Sequence, residues 1–152
     1  MRRKALYTTG ELQEHINRIY KRVKPAAERD GVYREISTKF KKANAGGLDG
    51  VYCYSDEDGY HLRDLERGGI MRDKITRDLF EITYWVINSA IFWMSIDFEV
   101  QHRIAKQDFR RIAFAKRLEY FAELGEDFRR REEYELGEIL KIAPFHDESY
   151  QD

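Results

Sequence analysis

VYCYSDEDGYHLRDLERGGIMRDKI, residues 51–75, decides the fold. Val51-Tyr52-Cys53-Tyr54 is dense in β-branched and aromatic strand formers, and Asp56-Glu57-Asp58-Gly59 is turn chemistry. Tyr60 to Arg67 reads as a second strand, Gly68-Gly69 as a second turn, and Ile70 to Ile75 as a third strand. Three short strands joined by tight turns make an antiparallel β-meander. Thr76 or Asp78 then caps the next element, a helix.

That helix, Leu79 to about Ala105, carries two apolar stripes at a spacing of three to four. One is Leu79, Ile82, Val86, Trp93, Ile96 and Val100; the other is Tyr84, Ile87, Ile91, Met94 and Phe98. Residues two apart lie about 200° around a helix, so the stripes face opposite ways, and the helix is expected to be central and buried on both sides. Asp108 caps a further helix with Ile112, Phe114, Ala115, Leu118, Phe121 and Ala122 inward, stopped by Gly125. Glu126 to Ile142 forms the last, with Phe128, Leu136, Ile139 and Leu140 inward and Pro144 beyond its end.

Upstream of the meander, Thr8-x-x-Glu11 fits a capping box opening a helix whose inner face is Leu12, Ile16, Ile19, Tyr20 and Val23. Pro25 is expected to perturb or end it and Gly31 to close the region. Val32 to Phe40 is ambiguous between a short helix and an irregular strand. Asn44 to Gly50 is a glycine-rich loop. The expectation is α+β: a short antiparallel meander packed on about four helices, one long and central. The 152 residues form one domain on this reading, with an N-terminal helix and loop over 1–50, the meander over 51–75, the helical part over 76–145 and a fraying acidic tail over 146–152.

A hydrophobic content of 42% supports a full core, and 27 Lys and Arg against 28 Asp and Glu argue against a general nucleic-acid binder. The charges are uneven. Residues 1–50 hold 12 basic and 6 acidic groups, whereas 119–152 hold 4 basic and 11 acidic. One cysteine, Cys53, excludes an internal disulfide, and no CxxC pair exists. The basic start Met1-Arg2-Arg3-Lys4 is not followed by an apolar run. The longest uncharged stretch, 82–96, is shorter than the ~20 apolar residues of a membrane span. A soluble, cytoplasmic protein is expected.

Candidate chemistry is sparse. Glu99-x-x-His102 has the spacing of one half of a di-iron carboxylate site, but no second Glu-x-x-His exists, so an ordinary polar pair on a helix is the better reading. His61 points away from Asp64 and Glu66 in an extended strand, which favours a hydrogen-bonded structural or interface histidine over a general base. No nucleophile elbow or glycine-rich phosphate loop is present, and Cys53 reads as a buried strand residue. Glu99, Arg103, Asp108, Arg110 and Arg111 flank one helix bend and are expected to meet there in a structural ion-pair network.

Gly59-Tyr60-His61, Glu66-Arg67-Gly68, Thr76 with Asp78-Leu79, Tyr84-Trp85, Glu99, Arg103, Asp108-Phe109-Arg110-Arg111-Ile112-Ala113-Phe114 and Pro144-Phe145 occur in an order that resembles the immunity protein 63 family of bacterial polymorphic-toxin systems. The likeness covers residues 51–145. Departures are Ile82-Thr83, where that family tends to two leucines, and Arg117, where a glutamine is usual. The resemblance implies a small non-enzymatic protein, without cofactor or metal, that protects the producing cell from a contact-delivered toxin by binding the cognate toxin domain and blocking its active site. No direct nucleic-acid or membrane binding is implied. Two charged surfaces suit such a role. The first is the meander, with Asp56, Glu57, Asp58, Tyr60, His61, Asp64, Glu66 and Arg67 as partner-binding residues. The second is the acidic stretch of Glu126, Asp127, Glu132, Glu133, Glu135, Glu138, Asp147 and Glu148, which would suit a basic nuclease cleft. Two alternatives stand beside this reading: a metal-dependent enzyme using Glu99, His102 and His61, and a homodimeric structural or adaptor domain.

Overall fold

The computed structural model describes residues 5–148. Helix α1 (Thr9–Tyr20) opens on the capping box, with the Thr8 N–H donating to Glu11 Oε1 at 2.9 Å and the Glu11 N–H to Thr8 Oγ1 at 3.2 Å. After a 3-10 turn at Lys21–Val23 the chain resumes as a short helix, α2 (Lys24–Arg29). Pro25, expected to perturb or end the helix, sits in the first turn of α2 just after that interruption, where no amide is needed from it. Gly31, at φ +72°, closes α2. The ambiguous stretch after it is irregular, with one parallel bridge between Lys39 and Tyr52.

The meander is formed as read: β1 (Gly50–Asp56), β2 (Gly59–Glu66) and β3 (Gly69–Thr76), antiparallel in the order β1-β2-β3. Tyr54 pairs with His61, His61 with Ile75, and Arg63 with Asp73. A register shift between Asp64 and Leu65 leaves Met71 as an extra residue opposite them, a β-bulge in β3. Asp78 caps α3 (Leu79–Gln101), its Oδ1 accepting the N–H groups of Phe80 and Glu81. Two more helices, α4 (Arg110–Leu124) and α5 (Glu126–Ile142), meet at Gly125.

The chain divides into two compact units. The first holds residues 1–19 and 35–88: most of α1, the meander and the first half of α3. Its core includes Leu12, Ile16, Cys53, Leu62, Ile82 and Ile87, and burial pushes the Cys53 thiol up to about 12, so that it stays an inert neutral group. The second unit holds residues 20–34 and 89–152, with α2, the second half of α3, α4 and α5. Ile91, Met94, Tyr120, Phe121, Leu124 and Leu136 are among its buried residues.

The two stripes of α3 part company along its length. Tyr84, Ile87, Ile91 and Met94 are buried, as are Ile82 and Val86, but Trp93 is 49% and Val100 58% exposed. The second half of the helix is thus covered on one side, not both. In length and composition α3 is apolar enough to cross a membrane, but the core helix of a soluble protein has the same make-up. Here half of the most apolar window is buried, and Thr83, Ser95 and Glu99 are among the enclosed side chains.

The inner faces of α4 and α5 differ from the apolar reading. On α4 the buried positions are Ala113, Lys116, Arg117, Tyr120, Phe121 and Leu124, while Ala115 and Ala122 are exposed. On α5 they are Phe128, Glu132 and Leu136, with Ile139 turned out. Lys116, Arg117 and Glu132 find charged partners inside, an interaction that hydrophobic periodicity does not register.

Candidate partner-binding surface

The sheet face built by Tyr54, His61, Arg63 and Asp73 carries the most organised polar cluster of the first unit. Alternation puts these residues on one side of three neighbouring strands. The His61 ring stacks on Tyr54, with centroids 4.4 Å apart and planes 5° from parallel. Its Nε2 lies 2.8 Å from Asp56 Oδ1 and its Nδ1 3.3 Å from Asp73 Oδ1. Arg63 donates to Asp73 Oδ2 at 2.8 Å and to the Ala43 carbonyl at 2.8 Å, tying the loop before β1 to the sheet. The Arg63 guanidinium, foremost, holds the Asp73 carboxyl below the ordinary carboxylate range. Burial pushes the Asp56 carboxyl up, but the hydrogen bonds from His61 and the Asp58 N–H outweigh it and leave it lowered.

His61 thus has two carboxylate partners, and both come from neighbouring strands. Asp64 and Glu66, close to it in sequence, are not among them. The register was the missing signal: pairing the Asp56–Gly59 turn and the Gly68-Gly69 turn places residue 61 beside 54 and residue 63 beside 73.

Of the eight meander residues expected at a partner surface, Glu57, Asp58, Glu66 and Arg67 are exposed and Asp56 and Asp64 half-buried. Tyr60 and His61 are buried, at 2% and 4% exposure. Tyr60 instead accepts the Tyr7 N–H on its hydroxyl at 2.8 Å. Beside it an open cleft of about 860 Å³ runs between Ala5–Tyr7 and Thr76–Leu79.

The five residues expected to meet at one bend all lie in the second unit. Arg103 grips Glu99 through two hydrogen bonds, 2.8 and 3.1 Å, but is itself 61% exposed. Asp108, wholly buried, accepts the Arg110 guanidinium, the Arg110 N–H and the His146 N–H. Arg110 continues to the carbonyls of Ala143 and Pro144, and Arg111 pairs with Asp147 at 2.9 Å. The expected fraying tail is bonded as far as it is described, through His146, Asp147 and the Glu148 N–H, which donates to the Lys106 carbonyl; residues 149–152 lie outside the described residues.

Both Glu99 oxygens face Arg103, His102 stacks on Phe98, and among the described residues no group of three His, Cys, Asp or Glu is placed to hold a metal ion.

Two buried clusters were not legible beforehand. Arg117 pairs with Glu132 at 2.7 Å, both nearly excluded from water, with the guanidinium between the rings of Phe92 and Phe114. Glu132 therefore leaves the acidic surface assigned to it. Asp30 receives the Tyr120 hydroxyl at 2.7 Å and Lys116 Nζ at 3.0 Å. Burial, the largest single influence, raises the Asp30 carboxyl, but hydrogen bonds from Tyr120, Arg29 and Lys116 together bring it down to about 2. A carboxyl depressed on folding stabilises above its unfolded value and loses that contribution as pH falls through the folded one. Between pH 4 and 2 the parent is expected to lose about 2 kcal/mol through this group. Asp30→Asn abolishes that part of the acid dependence, read from urea unfolding at stepped pH; an unchanged slope refutes it.

The family model described as Immunity protein 63 matches residues 56–138 of the chain. No curated protein and no solved structure matches it.

Proposed function

The chain belongs to the immunity protein 63 family, and from that premise we propose that it binds a cognate toxin domain encoded beside it and occludes that domain's active site, with the meander as its docking surface. The family match carries this reading, because it begins at Asp56 and takes in β2, β3, α3, α4 and most of α5. Three features support it. His61, Asp56, Asp73 and Arg63 are joined by hydrogen bonds across three strands, so the cluster stiffens the sheet that presents the rim; a pre-organised surface loses little entropy on association. The exposed rim is charged, with Glu57 and Asp58 at one turn and Glu66 and Arg67 at the other. The Cys53 thiol is buried and neutral, which suits a protein that, on this reading, acts by presenting shape and charge in the cytoplasm of the producing cell, without a cofactor and without turning over a substrate.

Mixing the purified chain with the toxin domain from the adjacent reading frame is expected to give a 1:1 complex and loss of toxin activity, followed by calorimetry. No association at micromolar concentration overturns the reading. Glu57→Lys with Asp58→Lys is expected to slow association about tenfold at low salt, the difference closing as salt is added. An unchanged on-rate removes this turn from the encounter surface.

A further inference from the structure

We infer that His61 is an imidazolium that positions the docking turn: with a proton on each ring nitrogen it bridges Asp56, at the β1–β2 turn, to Asp73 on β3. This rests on the binding reading above and adds to it a buried residue that sets the shape of the exposed ones. Glu57 and Asp58 follow Asp56 directly, and Asp56 shapes their turn, its Oδ1 accepting the Asp58 N–H at 2.9 Å. His61 in turn holds Asp56, with Nε2 2.8 Å from the same Oδ1. On the far side of the ring, Nδ1 stands 3.3 Å from Asp73 Oδ1.

The count of protons sets the state of the ring. A neutral imidazole has one N–H and one lone pair, and an ionised carboxylate only accepts. Two carboxylates on two ring nitrogens therefore need either two ring protons or a protonated aspartate. Asp56 Oδ1 accepts a backbone N–H, a bond that favours the ionised form. Asp73 Oδ2 accepts the Arg63 guanidinium at 2.8 Å, which favours ionisation more strongly. With both aspartates ionised, a neutral ring would turn a lone pair on an anionic oxygen. The His61 side chain is 5% exposed, so little water can come between them.

Charge balance points the same way. Around the ring stand Tyr54 and Asp56 from β1, Arg63 from β2 and Asp73 from β3; among the described residues no other charged side chain is bonded to it. Burial, foremost, raises the Tyr54 phenol, which adds no charge. Beside a neutral ring the two aspartates would have Arg63 as their one cation, and a negative charge would be left over. A charged ring cancels it. The cation also suits its stacking partner, since the face of the Tyr54 ring, with centroids 4.4 Å apart and planes 5° from parallel, attracts positive charge. Stripped of one proton, the ring is expected to keep the one on Nε2, because among the described residues Asp56 is bonded to no other cation, whereas Asp73 keeps Arg63. The turn then loses its tie through the ring to β3.

Ring-nitrogen NMR on the labelled chain at neutral pH tests the bridge. Both His61 nitrogens are expected in the protonated range, each with its own N–H signal; a single ring N–H overturns the inference. Asp73→Asn supplies an amide that donates to Nδ1, so its ring is expected neutral, with the Nε2 proton alone. A ring still doubly protonated in that variant shows that Asp73 does not hold the second proton, and overturns the bridge. His61→Gln, whose one amide nitrogen cannot donate on both sides, is expected to speed exchange of the Asp58 amide about tenfold. It is expected to slow association with the adjacent-frame toxin domain about threefold. An Asp58 amide as slow as in the parent removes His61 from the positioning of the turn. If the glutamine variant does not fold, the ring nitrogens of the parent and of Asp73→Asn carry the test. A doubly protonated ring in a chain that forms no complex overturns the binding reading and leaves the bridge standing. A complex formed by a chain with one ring N–H overturns the bridge alone.

Discussion

Glu132→Ala is expected to lower the unfolding free energy by about 3–5 kcal/mol, the usual cost of stripping one partner from a buried ion pair. Glu132 has no exposed side-chain surface, and Arg117, its partner at 2.7 Å, is nearly as enclosed. Without the carboxylate a guanidinium only 10% exposed loses this counter-charge, where little water can replace it. The double variant Arg117→Met with Glu132→Leu removes both charges together. It is expected to return stability to the parent level or above, since well-packed apolar replacements of buried pairs are commonly neutral or better. Urea unfolding of the parent, the single and the double variant completes the test. A single-variant loss below about 1 kcal/mol, the range of exposed pairs, shows that water reaches the site and refutes the prediction.

Asp108→Ala is expected to be about as costly, again about 3–5 kcal/mol, for a different combination of reasons. One carboxylate pairs with Arg110, caps the first turn of α4 and holds the His146 N–H of the C-terminal segment. Its loss also frees the Arg110 guanidinium, which otherwise bridges to the Ala143 and Pro144 carbonyls. The segment after Pro144 should therefore open, seen as faster exchange of the His146 amide, before the unit as a whole unfolds. The Arg110 hydrogen bonds, foremost, hold the Asp108 carboxyl far below the ordinary carboxylate range. Its contribution is accordingly complete above that range and declines only as pH falls beneath it. Asp108→Asn keeps an acceptor for the two backbone N–H groups but loses the charge, and should fall between parent and alanine variant. If the alanine variant exchanges at His146 as slowly as the parent, the carboxylate is not what holds the segment.

Both sites show where residue-by-residue reading runs out. Glu132 lies in a run of charged residues, Arg129 to Glu133, and such runs are ordinarily solvated. Only its position four residues from both Phe128 and Leu136 puts it on the inner face of α5, and only α4 supplies the cation that makes burial tolerable. Arg117 is a second case: on α4 alone it softens an apolar face, but across from Glu132 it completes a pair. His61 is the equivalent case in the sheet. Its sequence neighbours Asp64 and Glu66 are not its partners, whereas Asp56 and Asp73, brought in by register, are.

Local chemistry wrote the elements themselves. The Thr8–Glu11 box, the two turns of the meander, the Asp78 cap and the stop at Gly125 each depend on interactions within a few residues, so the amino-acid sequence alone determined the α+β class, the three strands, the long helix and the family. Partners far apart in the chain decided the rest: which charges are buried and which flank of α3 meets water. Each depends on the pairing of distant segments, whose energy appears only when one chain segment removes another from water, and no local window of residues contains that information.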